Sequence, residues 1–231
     1  MTKKMIFTLN IDNHMPEVTE LTFPLIKKWA DKIQADWEII KTRKFNDWPI
    51  TYEKMQIFEL ATRLAKESGY EWFIYIDSDA LLHPDLPDIT CFIPKDTVAH
   101  HSKDTAPIRW VYDQYFKRDG RHIGSGNWFT IASDWCIDLW HPIEDMTPDE
   151  VCKRIYPTLH EVNSKVIEPH HLIDDYTLSR NIARYGLKFT TVSETLRNYG
   201  VPEPHYYHHY LVPPEAKAID MRKILKSWGI S

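Results

Sequence analysis

Cysteine is nearly absent from this 231-residue chain: only Cys91, Cys136 and Cys152 occur, widely spaced and without a C-x-x-C pair. That excludes a disulfide framework and the common structural zinc sites, and it suits a reducing compartment. No stretch approaches the ~18 consecutive apolar residues of a membrane-spanning helix. The N-terminus, Met1-Thr-Lys-Lys-Met-Ile-Phe-Thr-Leu-Asn10, carries two lysines but too short an apolar run for a secretory signal, so a cytoplasmic location is expected. Basic runs are missing as well. With 28 Lys and Arg against 33 Asp and Glu the net charge is −5, and neither nucleic acid nor an anionic membrane is an expected partner. The 7 glycines form neither G-x-x-x-x-G-K nor G-x-G-x-x-G, which excludes the two familiar glycine-rich phosphate loops. There is no internal repeat and no low-complexity tract.

Aromatic residues, by contrast, are plentiful: 9 Trp, 12 Tyr and 9 Phe are enough to line clefts as well as fill a core. The length fits one large domain. Residues 5–11 read as a buried strand, and Pro16 opens a helix to about residue 35, with Val18, Leu21, Leu25, Ile26 and Trp29 near helical spacing. A second strand follows at 37–41. This β-α-β opening predicts an α/β fold with a Rossmann-like, mostly parallel central sheet flanked by helices. Residues 51–68 form another helical stripe (Tyr52, Met55, Phe58, Ala61, Ala65), stopped by Gly69. Strands are expected at 97–101 and 188–192. Thr147-Pro-Asp-Glu150 is a capping box that opens a helix, and a packing helix follows Pro213-Pro214.

The stretch from Tyr70 to Pro84 organises the rest. Trp72 to Ile76 is a continuous β-branched and aromatic run, too short for a helix, as a strand buried on both faces reads. It ends abruptly in Asp77-Ser78-Asp79. Extended geometry would put both carboxylates on one side, at the strand's carboxyl end, where ligands of open α/β sheets bind. Two hard oxygen ligands leave most of the shell of Mn²⁺ or Mg²⁺ open for phosphates and water.

Asp77-Ser78-Asp79 after such a strand, followed by Leu81-Leu-His-Pro84, resembles the DxD motif of GT-A-fold glycosyltransferases. The match runs from about residue 5 to 210 by the order of motifs. It implies a single catalytic domain over 1–231, with 1–100 as nucleotide-binding half and 101–231 as acceptor and catalytic half. It implies sugar transfer from a UDP- or GDP-sugar to a hydroxyl or glycan acceptor. The resemblance places the nucleotide on Thr8, Asn10 and Asp12 at the end of the first strand, on Ser78 and Asp77, and on Lys54 facing the diphosphate. An ordinary turn for Asn10 and Asp12, and a solvated surface position for Lys54, are the plainer alternatives.

Two later stretches complete the resemblance. Gly124-Ser-Gly126-Asn127-Trp128 leads into a strand, and glycines there let backbone approach a ligand closely. Gly126, Asn127 and Trp128 correspond to sugar and acceptor contacts; a tight hairpin with a core tryptophan is the alternative. In Asp174-Asp175-Tyr-Thr-Leu178 an acidic pair opens an apolar helix. Asp175 shares the face of Leu178 and Ile182, where a carboxylate needs a reason, whereas Asp174 fits an N-cap. By resemblance to inverting members, Asp175 is the general base and Asp174 its alternative. His205, His208 and His209 cluster where such enzymes take a further metal ligand, with His208 preferred over His209 and the choice resting on strand register. Two other classes compete. A haloacid-dehalogenase-type phosphotransferase also uses D-x-D, but on its first strand and with Thr or Val where Leu81 stands. A non-catalytic sugar-binding domain would have no need for so many acids and histidines together.

Overall fold

The central sheet has six strands, β1 (Lys3–Leu9), β2 (Ala35–Ile40), β3 (Tyr70–Ile76), β5 (Thr97–Ser102), β6 (Ser125–Ser133) and β7 (Lys188–Thr191), in the order β2-β1-β3-β6-β5-β7. A separate two-stranded ribbon pairs β4 (Ala80–Leu82) with β8 (Tyr207–His209). The computed structural model describes residues 2–102, 125–161, 169–200, 207–209 and 214–230, with backbone alone at 102, 125, 156–161, 169, 207–208 and 214. β2, β1 and β3 are parallel, β6 runs against both β3 and β5, and β5 is parallel to β7. The sheet is therefore mostly parallel with one reversed strand, as expected for the fold class.

Alternation along the strands sorts side chains into two apolar layers. Met5, Phe7, Phe73 and Tyr75 face α2 (Gln56–Ser68), α3 (Pro148–Glu161) and α4 (Ile173–Arg184). Ile6, Trp72, Ile74 and Ile76 face α1 (Pro16–Ile33) and α5 (Val192–Asn198). α1 starts with Pro16 at its first turn and buries Val18, Leu25, Ile26, Trp29 and Ile33. Trp29 is completely buried, lies edge-on to Phe129 at 5.8 Å and donates its indole N–H to the Leu86 carbonyl at 2.9 Å. The terminal helix α6 (Pro214–Ser227) packs Ala218 and Met221 against Val18 and Leu25 of α1 and Leu81 of β4.

The helix expected over 51–68 begins as a 3₁₀ segment, Ile50–Met55, before continuing as α2. Here Tyr52, Glu53, Lys54 and Met55 are all buried. Gly69 closes α2 at φ 69°, with its N–H bonded to the Ala65 carbonyl. The capping box forms as read: the Glu150 carboxylate accepts from the Thr147 N–H at 2.7 Å, and the Glu150 N–H is bonded to the Thr147 hydroxyl at 3.3 Å. Among the described residues no helix is long and apolar enough to cross a membrane.

Candidate active site

Asp77 leaves the carboxyl end of β3 with its N–H still bonded to the Trp128 carbonyl at 2.8 Å, so the β3–β6 ladder carries the two segments side by side. Because β6 is antiparallel, its first residues lie beside the last of β3. That brings Gly126, Asn127 and Trp128 to Asp77. The chain then turns, with the Ala80 N–H donating to the Asp77 carbonyl at 3.1 Å, and enters β4. The pairing of β4 with β8 sets His209 opposite Ala80, next to Asp79. His209 Nε2 lies 3.3 Å from Asp79 Oδ1 and 3.7 Å from Asp77 Oδ2. Donor atoms of Asp77, Asp79 and His209 all fall within 4.8 Å of one another. Two carboxylates and an imidazole, partly open to solvent, fit a hard divalent ion such as Mn²⁺ or Mg²⁺ that keeps other positions free. The residues present thus suit the group that the sequence implied. The side chain of His208, the first-preferred histidine, lies outside the described residues.

A second cluster lies on the other side of Asp77. Lys54 is almost fully buried, and its ammonium contacts Asp174 Oδ2 at 2.7 Å, Asn127 Oδ1 at 2.5 Å and Asp77 Oδ1 at 3.3 Å, 4.8 Å from the Tyr75 ring centre. Burial works against its charge, yet Asp174, Asp77 and Asp175 outweigh burial and hold Lys54 protonated above the usual lysine range. Asn127 also donates to Asp175 Oδ1 at 2.6 Å and to Asp174 Oδ2 at 3.2 Å. Burial first, and the neighbouring Asp174 charge second, push the Asp175 carboxyl well above the carboxylate range, against the pull of Lys54 and Asn127. Asp174 Oδ1 is buried without a hydrogen-bond partner among the described residues. Tyr75 donates its hydroxyl to Asp77 Oδ1.

Neither acid caps α4, whose N-cap residue is Leu172 with no side-chain bond. The first turn of α4 is buried all round, so Asp174 sits as deep as Asp175. Trp128 is largely buried too, yet it faces the site: its ring stacks on His209 at 5.2 Å and 11° and meets His101 at 4.4 Å. His100, one residue along the same strand, points to the opposite layer against Phe189. There, burial and the Lys54 charge lower its pKa to about 3.

The residues assigned to the nucleotide lie on the same sheet edge, since β1 is parallel to β3. Thr8 is buried and its hydroxyl accepts from Trp37 Nε1 at 3.1 Å. Asn10 bonds the Ile40 carbonyl through its N–H at 2.9 Å, and the exposed Asp12 and Asn13 adopt left-handed φ of 57° and 49°. Two consecutive non-glycine residues in that region are uncommon. The Ser78 carbonyl accepts from the Thr22 hydroxyl at 2.6 Å, tying the turn to α1.

One site residue escaped the sequence reading. Lys217 of α6, 6% exposed, places its ammonium on Asp79 Oδ2. Burial would raise the Asp79 carboxyl, but the hydrogen bond and charge of His209 together with Lys217 hold it far below the carboxylate range. A signal existed: Lys217 stands four residues before Met221, on the apolar stripe of its helix.

No family model matches the chain, and no curated protein matches it. Solved structures do. A glycosyltransferase involved in glycosylation of the major capsid of PBCV-1 superposes with a TM-score of 0.51 at 10% identity, over 95% of this chain and 98% of that one. Galactosyltransferase LgtC, solved with donor and acceptor sugar analogues, gives 0.54 at 10% identity, over 97% and 95%. At such identity the likeness shows the fold: a mixed α/β architecture of the GT-A glycosyltransferase type.

Proposed function

We propose that this protein is a glycosyltransferase that moves a sugar from a UDP- or GDP-sugar to a hydroxyl of a glycan or other acceptor, with inversion at the anomeric carbon. The observation that carries the reading is the meeting of Asp77, Asp79 and His209 at the carboxyl end of β3, on a fold shared with two glycosyltransferases. Residues 1–231 act as one catalytic domain, the first hundred holding the nucleotide and the remainder the acceptor and the base. Thr8, Asn10 and Asp12 border the base and ribose, and Ser78 lies beside the phosphates.

A divalent cation held by Asp77, Asp79 and His209 would neutralise the charge that grows on the departing diphosphate. Lys54 adds fixed positive charge from beneath Asp77. Gly126 lets the backbone pass close to the sugar, Asn127 orients Asp175 through its amide, and Trp128 offers a ring face. As the bond from the anomeric carbon to the diphosphate oxygen breaks, that carbon becomes oxocarbenium-like and bonds to the acceptor oxygen. Asp175 takes the acceptor's hydroxyl proton. Its raised proton affinity, from burial and Asp174, is the tuning a general base requires. Asp174, paired with Lys54, stays as the charged neighbour that adds to the effect of burial.

Asp79→Ala should lower metal-dependent release of UDP or GDP from the donor by at least about 100-fold, the upper end for residues that merely support a ligand. A variant with undiminished turnover and metal affinity would refute the assignment.

A further inference from the structure

Both oxygens of Asp79 are already engaged. His209 approaches Oδ1 at 3.3 Å, and the Lys217 ammonium occupies Oδ2. A lysine only 6% exposed is uncommon and is found where a partner meets its ammonium. Nor is Lys217 on a loose tail. The next residue, Ala218, and Met221 one turn on are buried against Val18, Leu25 and Leu81, so the packed interface of α6 with α1 and β4 aims the ammonium at Asp79. Leu81 belongs to the same short strand that fixes His209 opposite Ala80. One hydrophobic contact thus sets both the metal-facing histidine and the lysine that rivals a metal.

We propose that Lys217 is a built-in counter-ion that competes with the divalent cation for Asp79, so that α6 restrains loading of the metal site. The inference rests on the metal reading given above and goes beyond it, because it assigns the terminal helix a control over occupancy. While Lys217 stays on Oδ2, an incoming cation meets a unit positive charge within contact distance of its own ligand. Binding therefore includes withdrawal of the ammonium, and the free protein holds the metal less tightly than two carboxylates and an imidazole otherwise would. The same contact gives the buried Asp79 carboxylate a charged partner.

The test is titration of the full chain with Mn²⁺ alone, following the electron paramagnetic resonance of the free ion, with circular dichroism checking the fold. Removing the charge with Lys217→Met should tighten Mn²⁺ binding about tenfold, a modest share of what a unit charge at contact implies even at a surface-like dielectric. Lys217→Gln should move the same way and serves if the methionine variant does not fold. Lys217→Arg should stay within about twofold of wild type, because it keeps the charge. Asp79→Asn, alone and combined with Lys217→Met, should abolish the binding and so place the ion. Equal or weaker Mn²⁺ affinity in the folded neutral variants overturns the competition while leaving the metal reading intact. Absence of Mn²⁺ binding in wild type and neutral variants alike overturns both.

Discussion

In the proposed reaction, Asp175 is the side chain that takes the proton. Its carboxyl is buried, bonded to the Asn127 amide and set beside Asp174, and burial above all raises its hold on a proton. In the native state it therefore binds its proton more tightly than in the unfolded chain, whose carboxyl keeps the ordinary value of 3.8. Stability contributed this way is present at low pH and is lost as pH rises through the interval between the ordinary and the raised value. Asp175→Asn should flatten that decline in a Tm-against-pH series. The same change should cut transfer by about 10²–10⁴, the usual worth of a general base. In the wild type, the acid limb of the kcat/KM profile should lie above the normal carboxylate range. The acids themselves were legible in the sequence: Asp77 and Asp79 because a buried apolar run stopped in charge, Asp175 because it fell on an apolar helix face. Lys54 and Lys217 were harder, since a lysine's long stem lets sequence place the Cα on a face without saying where the ammonium ends. Only the folded arrangement shows both ammonium groups turned inward onto carboxylates.

At the level of elements, the large periodic segments carried their own instructions. β1, α1, α2, β3 and the capping box before α3 were all readable, because burial periodicity and end signals agreed. The Gly69 stop is one that a measurement can isolate. Its φ is 69°, and a Cβ placed there would meet no atom within 4 Å, so Gly69→Ala introduces backbone strain without a clash. Such a change should cost about 1–2 kcal/mol and lower Tm by roughly 2–4 °C per kcal/mol for a chain of this size, read by calorimetry. A clearly larger loss would mean that the turn into β3 has a further role. What sequence could not supply was the β4–β8 ribbon. Strands of three residues fall below any periodic signal, yet their register sets His209 rather than its neighbour opposite Ala80. The buried first turn of α4 was likewise hidden, because Asp174 looked like a cap when read locally and proves to be held by Lys54, 120 residues away.

The whole molecule gathers these parts on one edge of a six-stranded sheet. Parallel β1 and β3 end there, reversed β6 begins there, and α4 and α6 each bring charge to it from opposite layers. At 10% identity, what this chain shares with the solved glycosyltransferases is the fold. The proposed reaction centres on metal-assisted binding of diphosphate at Asp77, Asp79 and His209. Calorimetric titration with UDP and with GDP, each in Mn²⁺ and again in EDTA, addresses it most directly. At least one nucleotide should bind in Mn²⁺, and chelation should weaken that binding by tenfold or more. Binding that is indifferent to EDTA, or no binding of either nucleotide in Mn²⁺, would contradict it.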